Sequence, residues 1–257
     1  MTWIVYFALV LSFATRMAHD LRGLEATRED TERDETVDGV PLIGTALLVI
    51  GWGVCGEEPL GAFGLSVSLL GKCPWLWMLG VWSAAFLVGR VMEAHLFRPD
   101  LIPLVASGTI NPGGTYLSLR RGNLKHTAMM AAALTFSQTF VEEFFFRGLA
   151  VLGVGRALAG LGVPPAVAFM SAVVASSVAF GLVHFLPMRQ ATRGKSALLA
   201  SYALAVPLSL GVVFCLLNEM AGSLWPGWLV HWWLNYSAFV WNKAGGRWEQ
   251  SPASRSR

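Results

Sequence analysis

The chain has 257 residues, of which 54% are hydrophobic and only 14% are charged, whereas an ordinary soluble domain carries about 25% charged residues. A soluble fold of this size cannot bury so much apolar surface, and the composition also excludes disordered, collagen-like and disulfide-rich chains. It predicts an all-α, polytopic membrane helix bundle. The net charge of +3 is small, and bases near membrane segments report topology, so no nucleic-acid partner is expected.

Apolar segments that approach the roughly 20 residues of a membrane span recur along the chain. They lie at 1–15, 40–56, 75–97, 126–155, 164–186, 197–218 and 224–242. A further stretch, 59–71, is shorter and rich in glycine, so it is interpreted as interfacial or re-entrant, or else as an additional span. The sequence therefore predicts about seven transmembrane helices, within a range of six to eight.

The lysines and arginines outside these segments, together with Arg90, predict the orientation of the chain. With seven spans, sixteen of them fall on one side of the membrane and only Lys72 and Arg156 on the other. By the positive-inside rule the N-terminus lies outside and the C-terminus in the cytoplasm. The excess of arginine over lysine suggests a bacterial genome, so we expect a bacterial cell membrane.

The sequence divides into three parts. These are N-terminal membrane helices at 1–123, a helical core at 124–243 that carries the polar motifs, and a disordered tail at 244–257. The first part includes a cytoplasmic loop at 16–39 and a proline-containing loop at 98–124. Between residues 20 and 38 the former holds eight acidic residues and no apolar period, which is typical of a solvated loop whose role the sequence does not reveal.

The segment VEEFFFRG places two carboxylates and a guanidinium within an apolar helix. Each such charge costs about 3 kcal/mol near the centre of a bilayer, so a functional role is favoured. Glu143 and Arg147 are four residues apart with the acid first, and this spacing predicts an ion pair. Glu142 lies about 100° away around the helix and has no such basic partner. It is therefore the candidate general base.

Two later helices carry polar residues at the same four-residue step. Phe180 and His184 share one helix face, and His231 and Asn235 share another. A lone buried histidine usually only bonds a carbonyl. Two intramembrane histidines, an asparagine and an unpaired Glu142 together supply a base, an imidazole that orients it and N–H donors for a developing oxyanion.

These motifs, EExxxR, FxxxH and HxxxN, occur in that order, and the sequence resembles the CPBP (Abi) family of intramembrane endopeptidases. This family includes the type II CAAX prenyl proteases and bacteriocin-processing relatives, and the resemblance covers roughly 124–243. The resemblance implies a helical fold around a hydrophilic cavity. It also implies hydrolysis of a peptide bond in a membrane-associated protein or peptide, and C-terminal processing of the substrate is one form that this reaction takes. The implied roles are activation of water by Glu142 with His184, an oxyanion hole of His231 and Asn235, and support from Glu143, Arg147 and Phe180.

Three further hypotheses stay open beside this metal-free glutamic protease. The first is a zinc-dependent protease, in which Glu142, His184 and His231 would bind the ion and Glu143 would act as the base. The dispersed spacing and the Glu143–Arg147 pair favour a site without a cofactor. The second is a transporter or proton relay, since intramembrane glutamate and histidine also mark ion paths. The third is a scaffold without proteolytic activity.

The heights of the candidate residues within the membrane do not coincide on simple helix arithmetic. Counted from Lys125, Arg189 and Lys243, the bases that mark the cytoplasmic side, Glu142 lies about 26 Å along its helix, His184 about 8 Å and His231 about 18 Å. Tilted helices, or a fourth helix that begins outside the hydrocarbon and extends beyond it, would bring them together.

Three lesser expectations concern residues near these motifs. Gln138, one turn before Glu142, is expected to line the cavity. Asn218 and Glu219 are expected to face water at the outer end of the sixth segment. Most of the tryptophans at segment ends, a set that includes Trp228, are expected to lie at the membrane interface or against lipid.

Overall fold

The computed structural model describes residues 71, 73–92, 124–191 and 197–244. The regular structure within these ranges is helical and is organised as five helices. Helix α1 is Trp75–Met92, α3 is Pro165–Ala191, α4 is Ala197–Ala221 and α5 is Trp225–Ala244. Helix α2 is continuous but has three parts: α-helical Leu124–Glu143, π-helical Phe144–Gly153 and α-helical Val154–Gly160.

These five helices overlap the last five predicted membrane segments. Within the described residues, three stretches are long and apolar enough to cross a membrane: α1, Pro165–Leu186 of α3 and Ala200–Ala221 of α4. Together with the composition, they identify the chain as an integral membrane protein. The first two predicted segments, both N-terminal loops and the tail from 245 lie outside the described residues. The count of seven, the domain boundaries and the orientation of the termini therefore stay predictions.

Glycine and proline define the two turns that join α2 to α3 and α4 to α5. Gly162 has φ +88° and Gly222 has φ +60°, left-handed values that glycine adopts without a steric penalty at a helix end. In the first turn Pro165 begins α3, where its missing N–H costs nothing. These turns reverse the chain, so that α3 and α4 each run antiparallel to the helix on the other side of the turn.

Small residues allow α3 and α4 to pack closely against each other. A Cβ placed on Gly181 would lie 3.0 Å from the Leu204 carbonyl oxygen, and one on Gly211 would lie 3.0 Å from Ser177 Oγ. Such close approaches are typical of helix pairs in membranes, where packing rather than hydrophobic exclusion drives association. These contacts bring the middle of α4 against the middle of α3.

Two indole hydrogen bonds connect α5 to α2. Trp228 Nε1 donates to the Phe136 carbonyl and Trp232 Nε1 donates to the Ala132 carbonyl, each at 3.1 Å. Trp228 is an exception to the placement expected of most of these tryptophans, because its ring is fully buried against Phe136 and Phe140. A helix end that packs on a neighbour buries its aromatic residues. The paired bonds fix α2 and α5 side by side and antiparallel.

Asn218 is buried rather than facing water, so that expectation is also wrong, whereas Glu219 is exposed as expected. The Asn218 side-chain oxygen accepts a hydrogen bond from the Gly227 N–H at 2.7 Å, and its main-chain carbonyl accepts one from the Ser223 N–H at 3.0 Å. Asn218 thus connects the end of α4 to the beginning of α5. The contact is at Gly227, one helical turn before His231.

Candidate active site

Glu143 is the centre of a buried polar cluster formed by α2 and α5. One of its oxygens, Oε1, lies 3.1 Å from Arg147 Nη1 and 2.9 Å from His231 Nδ1. The pair with Arg147 is the one that the four-residue spacing predicts. The contact with His231 joins residues 88 positions apart, and the spacing of the motifs gives no signal of it. Glu143 therefore connects the two helices that carry the site.

Arg147 is enclosed almost completely, with 2% of its side chain exposed. The carbon of its guanidinium lies 4.2 Å from the centre of the Phe180 ring and 5.5 Å from that of Phe214. Aromatic faces attract a cation, and more strongly where water is excluded. The ion pair and these rings together offset the cost of burying the charge.

His231 is held by aromatic rings on both sides. Its imidazole stacks on Phe214 with ring centres 5.3 Å apart, and the edge of Phe180 approaches it at 5.6 Å. Because Glu143 also contacts a guanidinium, it acts as the acceptor and His231 Nδ1 as the donor. The second ring nitrogen, Nε2, then points to Glu142, whose Oε2 lies 3.7 Å away.

Glu142 lies at the edge of the cluster and is its most exposed acid, with 16% of its side chain accessible. Its second oxygen, Oε1, accepts a hydrogen bond of 3.0 Å from Gln138 Nε2. The two carboxylate oxygens of Glu142 thus have different surroundings: one faces an amide and the other faces the imidazole of His231.

His184 joins the cluster from α3 through Phe180. Its Nδ1 donates to the Phe180 carbonyl at 2.8 Å, which in the neutral imidazole leaves Nε2 as an acceptor. The ring of Phe180 lies between the two histidines, with its centre 4.6 Å from that of His184 and 5.6 Å from that of His231. Phe180 therefore separates the imidazoles and also covers Arg147.

The different heights predicted for these residues are reconciled by staggered helix ends. Helix α2 begins 18 residues before Glu142, whereas α3 continues only seven residues beyond His184. At 1.5 Å per residue these lengths are about 27 Å and about 10 Å. Helix α2 therefore extends well past the end of α3 on that side.

Asn235 makes fewer contacts with the cluster than the other candidate residues do. It follows His231 by one turn of α5 and is half-buried. Its amide makes no hydrogen bond to another described residue. Its role in an oxyanion hole stays a prediction.

The π-helical part of α2 is the feature that the motifs did not predict. It begins directly after the two glutamates and includes Arg147. Ser176 Oγ of α3 donates to the Phe146 carbonyl within it at 2.6 Å. Departures from α-helical geometry of this kind occur frequently at functional sites.

The polar groups of the cluster do not form a preformed metal site. Across the described ranges of the chain, no three or more His, Cys, Asp or Glu side chains are grouped so that they could hold a metal ion. Glu142, His184 and His231 are thus near one another without forming a prepared set of ligands. A zinc-dependent mechanism would require these side chains to move together, and metal removal tests it directly.

Gly211 of α4 leaves the room that Arg147 occupies, and its substitution tests this. A Cβ at Gly211 would lie 3.2 Å from Arg147 Nη2 and 3.0 Å from Ser177 Oγ. Overpacking costs about 1–3 kcal/mol, and a helical alanine regains about 0.5–1 kcal/mol. We expect Gly211→Ala to lower the free energy of unfolding in detergent by about 1 kcal/mol. Gly80→Ala, which meets nothing within 4 Å, should cause no loss, and an equal loss in both variants would contradict this packing.

The described helices enclose a buried Glu–Arg–His cluster within an integral membrane protein. Residues 123–237 match the family model of the Rce1-like type II CAAX prenyl endopeptidases. Over this segment the chain is similar to the CAAX protease-like family, in agreement with the resemblance drawn from its motifs. No curated protein and no solved structure matches the chain.

Proposed function

We propose that the protein is a glutamic intramembrane endopeptidase that hydrolyses a peptide bond in a membrane-associated protein or peptide. The observation that carries the proposal is the approach of Glu142 Oε2 to His231 Nε2, at 3.7 Å, within a cluster enclosed by apolar helices. The family match covers all the residues concerned. The name of the family indicates an endopeptidase, and the cluster supplies the groups that such a reaction needs.

The water nucleophile would be activated by Glu142 together with His184. The carboxylate of Glu142 accepts a proton from the water, and the oxygen attacks the carbonyl carbon of the scissile bond. The Nε2 acceptor of His184 orients the same water. When the tetrahedral intermediate collapses, the proton passes from Glu142 to the departing amine, and the carboxylate is restored.

The negative oxygen of the intermediate would be stabilised by His231 and Asn235. Since Nδ1 of His231 already donates to Glu143, donation from Nε2 requires the doubly protonated imidazolium. The carboxylate of Glu143 holds the ring through Nδ1, in the way an acid orients the histidine of a hydrolytic triad. Asn235, one turn further along α5, would provide the second donor.

The experiment that tests the proposal compares membrane proteomes of cells that lack the protein and cells in which it is re-expressed. The deletion strain should accumulate a membrane-associated precursor, and re-expression should restore a shorter product whose new terminus identifies the bond. The purified protein in liposomes should make the same cut. An identical set of termini in both strains would overturn the proposal. Flux of ions driven by pH or voltage, without any cleavage, would instead establish a transporter.

The liposome reaction also decides between the metal-free and the zinc-dependent mechanism. Because the described residues form no prepared ligand set, we expect cleavage to be unchanged after dialysis against a strong chelator. Elemental analysis of the dialysed protein provides the control for metal removal. Activity that is lost on dialysis and restored by Zn²⁺ would show that Glu142 and the histidines act as ligands.

A further inference from the structure

We propose that Gln138 is a positioning residue that orients Glu142 for the reaction. The inference rests on the proposed function, because it assigns Glu142 the part of the base. It starts from a single direct contact: Gln138 Nε2 donates to Glu142 Oε1 at 3.0 Å. None of the three motifs EExxxR, FxxxH and HxxxN includes this position.

The position of Gln138 along α2 places its side chain directly beside Glu142. Gln138 and Glu142 are one turn apart in the last α-helical turns of α2, just before the π-helical part begins at Phe144. Side chains four residues apart on a helix lie on the same face and can contact each other. The regular part of α2 thus aligns Gln138 with Glu142, and the altered geometry begins beyond them.

The hydrogen bond separates the roles of the two oxygens of Glu142. With Oε1 bonded to the amide, Oε2 is the oxygen that faces His231 Nε2 at 3.7 Å. A free glutamate side chain would sample several rotamers, and a displacement of about 1 Å at a reacting group can cost about 100-fold in rate. Fixing Oε1 keeps Oε2 directed at the site.

An amide suits this task better than a cation would. Glu143 already contacts Arg147 and His231, and these contacts hold α2 and α5 together. Gln138 donates a hydrogen bond to the carboxylate but brings no charge, so it orients Glu142 without adding an ion pair to the one that His231 would form as an imidazolium. The charged and titratable groups around it are then Glu143, Arg147, His184 and His231.

Two substitutions at Gln138 separate orientation from packing. Gln138→Met keeps the length of the side chain and removes the amide. Gln138→Asn keeps the amide but shortens the side chain, so that the amide no longer reaches Glu142. We expect both to lower kcat for the cleaved substrate about 10-fold to 100-fold, with KM within about twofold. Ser137→Ala serves as the matched control. It removes a hydrogen bond to the Ala133 carbonyl on the same helix and should leave both constants unchanged.

Infrared spectroscopy gives a readout that does not depend on proteolysis. The carboxylate band of Glu142 is assigned by its disappearance in Glu142→Gln, and this band should shift in both Gln138 variants and not in Ser137→Ala. Wild-type kcat and an unshifted band in either Gln138 variant would overturn the inference. Failure of the proposed function is a different result, namely that wild-type protein cleaves nothing, and the infrared measurement still tests the Gln138–Glu142 contact in that case.

Discussion

Replacing Glu142 by glutamine is expected to lower kcat for peptide cleavage by about a thousandfold while the protein still inserts and folds. General acid–base catalysis contributes about 100-fold to 10,000-fold, and here one carboxylate performs both proton transfers. Glutamine has nearly the same volume and can still bond Gln138, so the helices should pack as before. The measurement is a single-turnover cleavage in liposomes, with melting temperature as the check on folding.

Glu219→Gln is the matched control for this substitution. Glu219 is an exposed acid near the end of α4, so neutralising it should leave the rate unchanged. Cleavage by Glu142→Gln within about threefold of the wild-type rate would remove Glu142 from the role of base. His184→Gln should lose activity to a similar degree if His184 orients the same water.

The local part of the site could be predicted from the sequence because it depends only on helix geometry. The pairing of Glu143 with Arg147 follows from a four-residue step, and the structure has it at 3.1 Å. The helical character of the core, and the placement of the last five segments, follow from apolar runs bounded by glycine and proline. Such features are set by residues within one or two turns of each other.

Contacts between distant helices could not be predicted in the same way. The bond from His231 to Glu143 depends on the stagger of α2 and α5, and uniform helices measured from their ends place these residues at different heights. The burial of Trp228 and Asn218 has the same origin, since both lie near helix ends that pack on a neighbour instead of facing the interface. The residues of the π-helical part of α2 do not mark it as a π-helix, because runs of phenylalanine, glycine and aliphatic residues also occur in α-helices.

Replacing Arg147 by methionine should cause the largest loss of stability among single substitutions in the cluster. Glu143 has 1% of its side chain exposed, so removal of the guanidinium leaves a buried carboxylate with His231 as its remaining partner. Breaking a buried ion pair from one side costs about 3–5 kcal/mol. Methionine fills much of the same volume between Phe180 and Phe214, which limits the contribution of a cavity. Unfolding in detergent, followed by loss of tryptophan fluorescence, measures the effect.

The double variant Arg147→Met with Glu143→Gln distinguishes charge from packing in this result. Removing both charges eliminates the uncompensated carboxylate, so most of the lost stability should return, while proteolysis stays impaired because His231 loses the carboxylate that orients its ring. Arg156→Met, at an exposed position in the same helix α2, should change the free energy of unfolding by less than about 0.5 kcal/mol. If the double variant were as unstable as Arg147→Met alone, the guanidinium would stabilise α2 through its contacts with the phenylalanine rings, and the ion pair with Glu143 would contribute little.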